Sequence, residues 1–163
     1  MLRKYGLIGI LLILLVEFNY FLKIEPFASW YFPIVWAGYI LVMDAIIYKL
    51  NHNSLISNRR NQFFGMVIIS SLLWWIFEFM NLGVQNWTYS SIPAYSSTIR
   101  NLYGTLAFAT VLPAFFETVE LIRSIHFFDH KKLKKKHAIT KGFIHAMFCI
   151  GVLTFLLPLF FPK

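Results

Sequence analysis

The chain has 163 residues, of which 58% are hydrophobic, 19% aromatic and only 13% charged. A soluble domain is about 45–50% apolar and about 25% charged, so this composition excludes an ordinary soluble protein and predicts one membrane domain over residues 1–163. The net charge is +8, yet no glycine-rich phosphate loop, zinc-finger spacing or nucleic-acid module is present, and we expect no nucleic-acid partner. The single cysteine, Cys149, excludes an intrachain disulfide and is expected to be a small core hydrophobe.

Five apolar stretches are each long enough to cross about 30 Å of hydrocarbon as a helix of roughly 20 residues. Because backbone polar groups in lipid must be satisfied within a segment, we predict an all-α, polytopic integral membrane helical bundle with about five transmembrane helices. The first stretch follows two basic residues, as in a signal peptide, but its apolar run continues and no convincing cleavage site follows. It is therefore interpreted as an uncleaved span. The predicted spans are 6–24, 30–50, 62–83, 101–122 and 142–161.

Basic residues collect in alternate connectors, and lysine and arginine accumulate on the cytoplasmic side of membrane proteins. With the N-terminus inside, twelve fall in inner segments and three in outer segments, which predicts a cytoplasmic N-terminus and a C-terminus outside. We expect the protein to lie in the cytoplasmic membrane of a bacterium. The basic cluster Lys131–Lys136 is expected to be a solvated loop that sets this topology and could touch anionic lipid heads. The outer cations are Lys23, Arg100 and Lys163.

Five of the seven acidic residues fall inside predicted spans. A charged group at the bilayer centre costs at least about 2.5–3.5 kcal/mol, so these acids are expected to face the bundle interior, a watery cavity or one another. Because successive helices alternate in direction, Glu17 and Glu78 should lie toward the outer side. Asp44 and Glu117 should lie toward the inner side.

The third span places an acid, an amide and indole rings on one stripe. Trp74, Glu78 and Asn81 are spaced by four and three residues, and Trp75 is three before Glu78. Asn81 could hydrogen-bond the carboxyl group. Desolvation disfavours the charged form of a carboxyl group, so an acid here is expected to be neutral and able to donate a proton. The candidate catalytic residues are Glu78, Asp44 and Glu117, and the candidate ligand-binding residues are Trp74, Trp75, Asn81, Glu17 and Tyr103.

The fourth span carries Tyr103, Thr110, Glu117 and Glu120 close to one face, with Pro113 among them. Proline removes a backbone hydrogen bond and is expected to kink this helix, which leaves room for water or a ligand. Alternatively, the intramembrane acids have a structural role and stabilise contacts between helices through hydrogen bonds to polar side chains of neighbouring helices.

Other polar pairs predict structure rather than chemistry. Glu120 and Arg123 are three residues apart on one helix face, and Glu120 is expected to form a structural ion pair or a snorkelling contact at the helix end. His126 and His130 have the spacing of metal ligands, but they adjoin five lysines and one pair is far short of a full ligand set. We therefore predict no metal site and no cofactor. His145 could join the inner acids.

Residues 30–83 resemble the small membrane lycopene cyclases of the heterodimer-subunit type, which are built from three-helix units. The shared features are an aspartate in one span, here Asp44, and an acid-centred motif about 30 residues on, here Glu78 in "LLWWIFEFMN". The resemblance implies that the acids protonate and steer a carotenoid-like polyene while aromatic rings stabilise its cationic character. The segment "SWYFPIVWAGYILVMDAI" is also similar to the early segment of the tryptophan-rich sensory and translocator proteins.

Three classes of function fit these features. The first is a protein that binds or transforms an apolar isoprenoid, carotenoid-like or lipid molecule, with a lycopene-cyclase-like isomerase or cyclase as its enzymatic form. The second is a structural subunit or assembly factor of a membrane complex. The third is a proton-coupled transporter or channel subunit. The expected partners are membrane lipids, an apolar small molecule, and a homo-oligomer or larger membrane complex.

Overall fold

The computed structural model of the protein describes residues 3–89, 96–126 and 140–160, and all regular secondary structure within these ranges is helical. In the described part of the chain, five segments are long and apolar enough to cross a membrane, four of them single helices and the fifth, residues 97–124, a pair of helices. The prediction of an all-α fold with five helical segments long and apolar enough to cross a membrane is thereby confirmed for the described residues. The helices are α1 (Lys4–Leu22), α2 (Tyr31–Asn51), α3 (Leu55–Asn58), α4 (Arg60–Val84), α5 (Ser97–Ala109), α6 (Val111–Ser124) and α7 (Lys141–Phe160).

Helices α1 and α2 approach so closely that their backbones touch at two glycines. A Cβ atom built on Gly9 would lie 2.6 Å from the carbonyl oxygen of Gly38, and one built on Gly38 would lie 2.8 Å from that of Gly9. Small residues let transmembrane helices pack backbone to backbone, where dispersion contacts replace the hydrophobic effect that lipid cannot supply. This crossing fixes α1 against α2, the helix that also packs on α5 and α6.

The fourth span is interrupted at Thr110, which separates α5 from α6. Pro113 lacks the N–H group that would bond to residue 109, as the sequence predicted. The break is completed by Ser70 of α4, whose hydroxyl group donates to the carbonyl oxygen of Phe108 at 2.5 Å and accepts from the N–H group of Leu112 at 3.0 Å. Ser70 therefore inserts between two backbone groups that a regular helix would pair with each other.

The polar connector between α2 and α4 contains the four-residue helix α3, which the sequence did not predict. Ser54 and Leu55 at its start are buried, with 0% and 3% of their surface exposed. The connector therefore turns back into the bundle instead of remaining in solvent, and it carries polar groups to the end of α2.

Helix α7 contacts the rest of the described chain through α4, where the ring of Phe155 packs edge-on against that of Phe77 at 5.3 Å. Two predictions about this helix are wrong. Cys149 is exposed rather than part of a core. His145 is also exposed and bonds to the carbonyl oxygen of Lys141 in its own helix, so it does not join the acids. Both errors have one cause: in this chain most of α7 is left facing outward, where lipid would surround it.

Candidate functional site

Asn81 at the end of α4 folds the following connector back along the helix. The helix ends at Gln85, which adopts a left-handed conformation with φ 51°. The side-chain oxygen of Asn81 accepts from the N–H groups of Asn86 and Trp87, at 2.9 and 3.2 Å, and its amide nitrogen donates to the carbonyl oxygen of Trp87 at 2.8 Å. Asn81 thus binds backbone, and the expectation that it bonds the carboxyl group of Glu78 is wrong, because the end of the helix offers unpaired backbone groups closer by.

The returning connector brings two aromatic side chains to the carboxyl group of Glu78. One oxygen of that group, Oε1, accepts from the indole Nε1 of Trp87 at 3.2 Å and from the phenol of Tyr89. Burial and the hydrogen bond to Glu78 raise the pKa of Tyr89 to about 12, so the phenol remains a donor at physiological pH. Within the described residues, Oε2 of Glu78 has no hydrogen-bond donor.

The two side chains that bind this carboxyl group also help to line a pocket of about 330 Å³, whose lining is aromatic and does not include Glu78 itself. Two rings come from α4, where Trp74 lies one helical turn before Glu78, and two come from the connector. Because the polar ends of Trp87 and Tyr89 are bonded to Glu78, their apolar ring surfaces are left to form the wall. We call this site the aromatic pocket, and its lining residues are Trp74, Phe77, Trp87 and Tyr89.

The sequence did not identify Trp87 and Tyr89 as site residues. Both were expected only as membrane-interface aromatics. The available signal was the asparagine near the end of α4, followed within eight residues by "NWTY". An asparagine side chain can hydrogen-bond the backbone that follows the end of a helix. Its position before a short aromatic segment therefore predicts that this segment folds back onto the helix.

Three other predicted binding residues lie away from the aromatic pocket. Trp75 donates to the hydroxyl oxygen of Thr105 at 3.1 Å and is part of the contact between α4 and α5. Tyr103 packs edge-on against Trp30, with ring centroids 5.9 Å apart. Glu17 was expected to face the bundle interior, but it is exposed.

The exposure of Glu17 has a local explanation. The phenol of Tyr31, at the start of α2, donates to its carboxylate at 2.6 Å. Because this hydrogen bond satisfies the Glu17 carboxyl group at the surface of the bundle, Glu17 does not have to be buried to find a polar partner.

Asp44 is fully buried in α2 and its carboxyl group accepts three hydrogen bonds. Oδ2 accepts from the phenol of Tyr5 at 2.5 Å and from the hydroxyl group of Ser54 at 2.8 Å, and Oδ1 accepts from the N–H group of Ile56 at 2.8 Å. These donors come from α1 and from the connector that contains α3. Asp44 therefore ties three parts of the chain together.

Glu117 in α6 is also fully buried, yet among the described residues no hydroxyl, amide or guanidinium group donates to either of its carboxyl oxygens. Its electrostatic neighbours are Asp44, Glu120 and Arg59. A buried polar group without a partner is rare in proteins and calls for a functional or structural reason. The structure therefore brings two of the three candidate catalytic acids, Asp44 and Glu117, to one place, and leaves Glu78 at the aromatic pocket.

Glu120 forms its ion pair with Arg59, at the start of α4, and not with Arg123 on its own helix face. The cause is the packing of α4 against α6, which places a cation from another helix beside Glu120. No cluster of three or more metal-binding side chains occurs in the part of the chain that the structure describes, which includes His126. His130 and the basic cluster Lys131–Lys136 lie outside the described residues.

Comparisons with protein-family models, curated proteins and solved structures found no match for this chain. The resemblances to the lycopene cyclases and to the translocator proteins therefore stay predictions.

Proposed function

We propose that the protein binds and transforms an apolar isoprenoid, carotenoid-like or lipid molecule at the aromatic pocket, with Glu78 as the acid. One observation carries this proposal: two of the four side chains that line an aromatic pocket of about 330 Å³ donate to one oxygen of the Glu78 carboxyl group, whose other oxygen has no donor within the described residues. Ligand pockets are typically apolar cavities with a small number of placed polar groups. Of the predicted site residues, Trp74 and Glu78 belong here.

The chemistry that fits this arrangement is proton-initiated isomerisation of a double bond. Glu78 would give a proton from Oε2 to one carbon of a polyene, which leaves a carbocation on the chain. The faces of the surrounding rings stabilise positive charge. A neighbouring carbon would then lose a proton to the Glu78 carboxylate, which restores the acid and needs no oxidant, reductant or cofactor.

The proposal is tested by expressing the protein in a host that accumulates linear polyenes and analysing the extracted pigments. A new isomer or cyclised product, or a polyene that copurifies with the protein, is the expected result. An unchanged pigment profile together with a protein that carries no apolar ligand would contradict the proposal.

We also propose the orientation with the N-terminus in the cytoplasm and the C-terminus outside, in a bacterial cytoplasmic membrane. The uneven distribution of lysine and arginine supports it. The aromatic pocket would then lie toward the outer face, and Asp44, Glu117 and Arg59 toward the inner face. A reporter fused after residue 163 should be active only outside the cytoplasm, and a cytoplasmic signal would contradict this orientation.

A second candidate function, proton-coupled transport, is favoured by the carboxyl group of Glu117, which lies near Asp44 and has no donor among the described residues. Intramembrane acids in proximity are the usual elements of proton relays. If Glu117 takes part in a relay, Glu117→Gln should abolish proton flux in liposomes that contain the purified protein, whereas Glu17→Gln should leave it unchanged. Equal flux in wild type and Glu117→Gln would exclude this function.

A further inference from the structure

A second cavity lies between α4 and α6, at the end of the bundle where α4 begins and α6 ends. Its volume is about 780 Å³. We call it the α4–α6 groove. Its lining changes in character along its length, from charged residues near the helix ends to apolar residues deeper in the bundle. The charged lining residues are Arg59, Glu120 and Arg123, and the deeper apolar ones include Met66, Phe115 and Phe116.

The polar end of the groove carries an excess of positive charge. Arg59 and Arg123 bring two positive charges and Glu120 brings one negative charge. Arg59 binds Glu120 through one terminal nitrogen, and its Nε is buried without a partner. Among the described residues, the guanidinium group of Arg123 has no hydrogen-bond or ion-pair partner. One cation of the groove is therefore uncompensated by any described residue.

The apolar end of the groove is open to the surroundings of the helices. Phe115 and Phe116 are 62% and 47% exposed, although both lie in a transmembrane segment. A hydrocarbon chain lying against these rings would cover them. The volume of the groove falls in the range that accommodates an organic ligand of substantial size.

We propose that the α4–α6 groove binds an anionic phospholipid of the bilayer, with its phosphate group at Arg59 and Arg123 and an acyl chain along Phe115 and Phe116. Charge complementarity selects the head group, since basic pockets between transmembrane helices suit anionic lipid heads. The planar guanidinium group of arginine matches the oxygens of a phosphate group. This site is independent of the aromatic pocket and of the function proposed for it.

The proposal is tested by native mass spectrometry of the full chain in mild detergent, with phosphatidylglycerol and phosphatidylcholine of identical acyl chains. The wild-type protein should retain phosphatidylglycerol in preference to phosphatidylcholine. Arg123→Gln should weaken retention of phosphatidylglycerol roughly fivefold, as expected for the loss of one cation near a lipid head group. Arg123 is exposed at the end of α6, so this substitution should leave the fold intact.

Arg60→Gln is the matched control. Arg60 adjoins Arg59 in sequence, but it bonds the carbonyl oxygen of Ile56 and does not line the groove. Its substitution should leave lipid retention unchanged. Equal retention of the two lipids by the wild type, or equal losses for Arg60→Gln and Arg123→Gln, would overturn the proposal, since either result would indicate unselective coating by lipid.

Discussion

Glu78→Gln is expected to abolish product formation while the protein stays folded and keeps its ligand. Glutamine retains a side-chain oxygen that can accept from Trp87 and Tyr89, so the connector should remain in place. What is lost is the acidic proton. General acid catalysis contributes typically 10²–10⁴-fold to a rate, so we expect conversion of the polyene to fall at least about a hundredfold.

The control for this experiment is Glu17→Gln. Glu17 also accepts from a tyrosine phenol, but it is exposed and does not adjoin the aromatic pocket. Its substitution should leave product formation unchanged. If Glu78→Gln is as active as the wild type, Glu78 is only an anchor for the connector, and the proposed chemistry is wrong.

Gly38→Ala is expected to lower the free energy of unfolding by about 2 kcal/mol, within the range for overpacking of a tight interior. The new Cβ atom would lie 2.8 Å from the backbone oxygen of Gly9, and 2.8 Å from a side-chain carbon of Ile13. A backbone oxygen cannot move aside as a flexible side chain can, so α1 and α2 must separate. This cost outweighs the gain of about 1 kcal/mol that alanine brings to a helix interior. Unfolding in detergent micelles, followed by circular dichroism, measures the difference.

Gly65→Ala is the matched control, because a Cβ atom at Gly65 in α4 would meet nothing within 4 Å. This variant should be as stable as the wild type or slightly more stable. A Gly38→Ala protein with wild-type stability would show that the two helices do not depend on the glycine contact.

The membrane fold could be predicted from the sequence because lipid imposes a simple requirement, a long apolar helix for each crossing. The interruption of the fourth span followed from Pro113. The hydrogen bonds of Ser70 at this interruption could not be predicted, because they depend on which face of α4 packs against residues 108–112. Helix α3 was missed because four residues in a polar connector carry no apolar periodicity.

The candidate site was predictable only within single helices. Spacing along α4 placed Trp74 and Glu78 on one stripe. Trp74 lines the aromatic pocket, and Glu78 binds two of the other side chains that line it. The wall formed by Trp87 and Tyr89 depends on the left-handed backbone conformation of Gln85. Glutamine does not favour this conformation as glycine does, so the turn could not be predicted. Alternation of helix direction predicted a common depth for Asp44 and Glu117, and they are electrostatic neighbours. Among the described residues, Asp44 accepts three hydrogen bonds and Glu117 accepts none. This difference could not be predicted, because the donors of Asp44 come from another helix and a connector.

The most direct test of the aromatic pocket as a binding site is mass spectrometry of the protein purified from membranes that contain polyenes. We expect about one apolar molecule per chain in the wild type and none in Trp87→Ala, which removes a wall of the pocket. Trp30→Ala should retain the molecule, because Trp30 packs against Tyr103 away from the pocket. A wild-type protein without a bound apolar molecule, or a Trp87→Ala protein that binds it equally well, would contradict the proposed function.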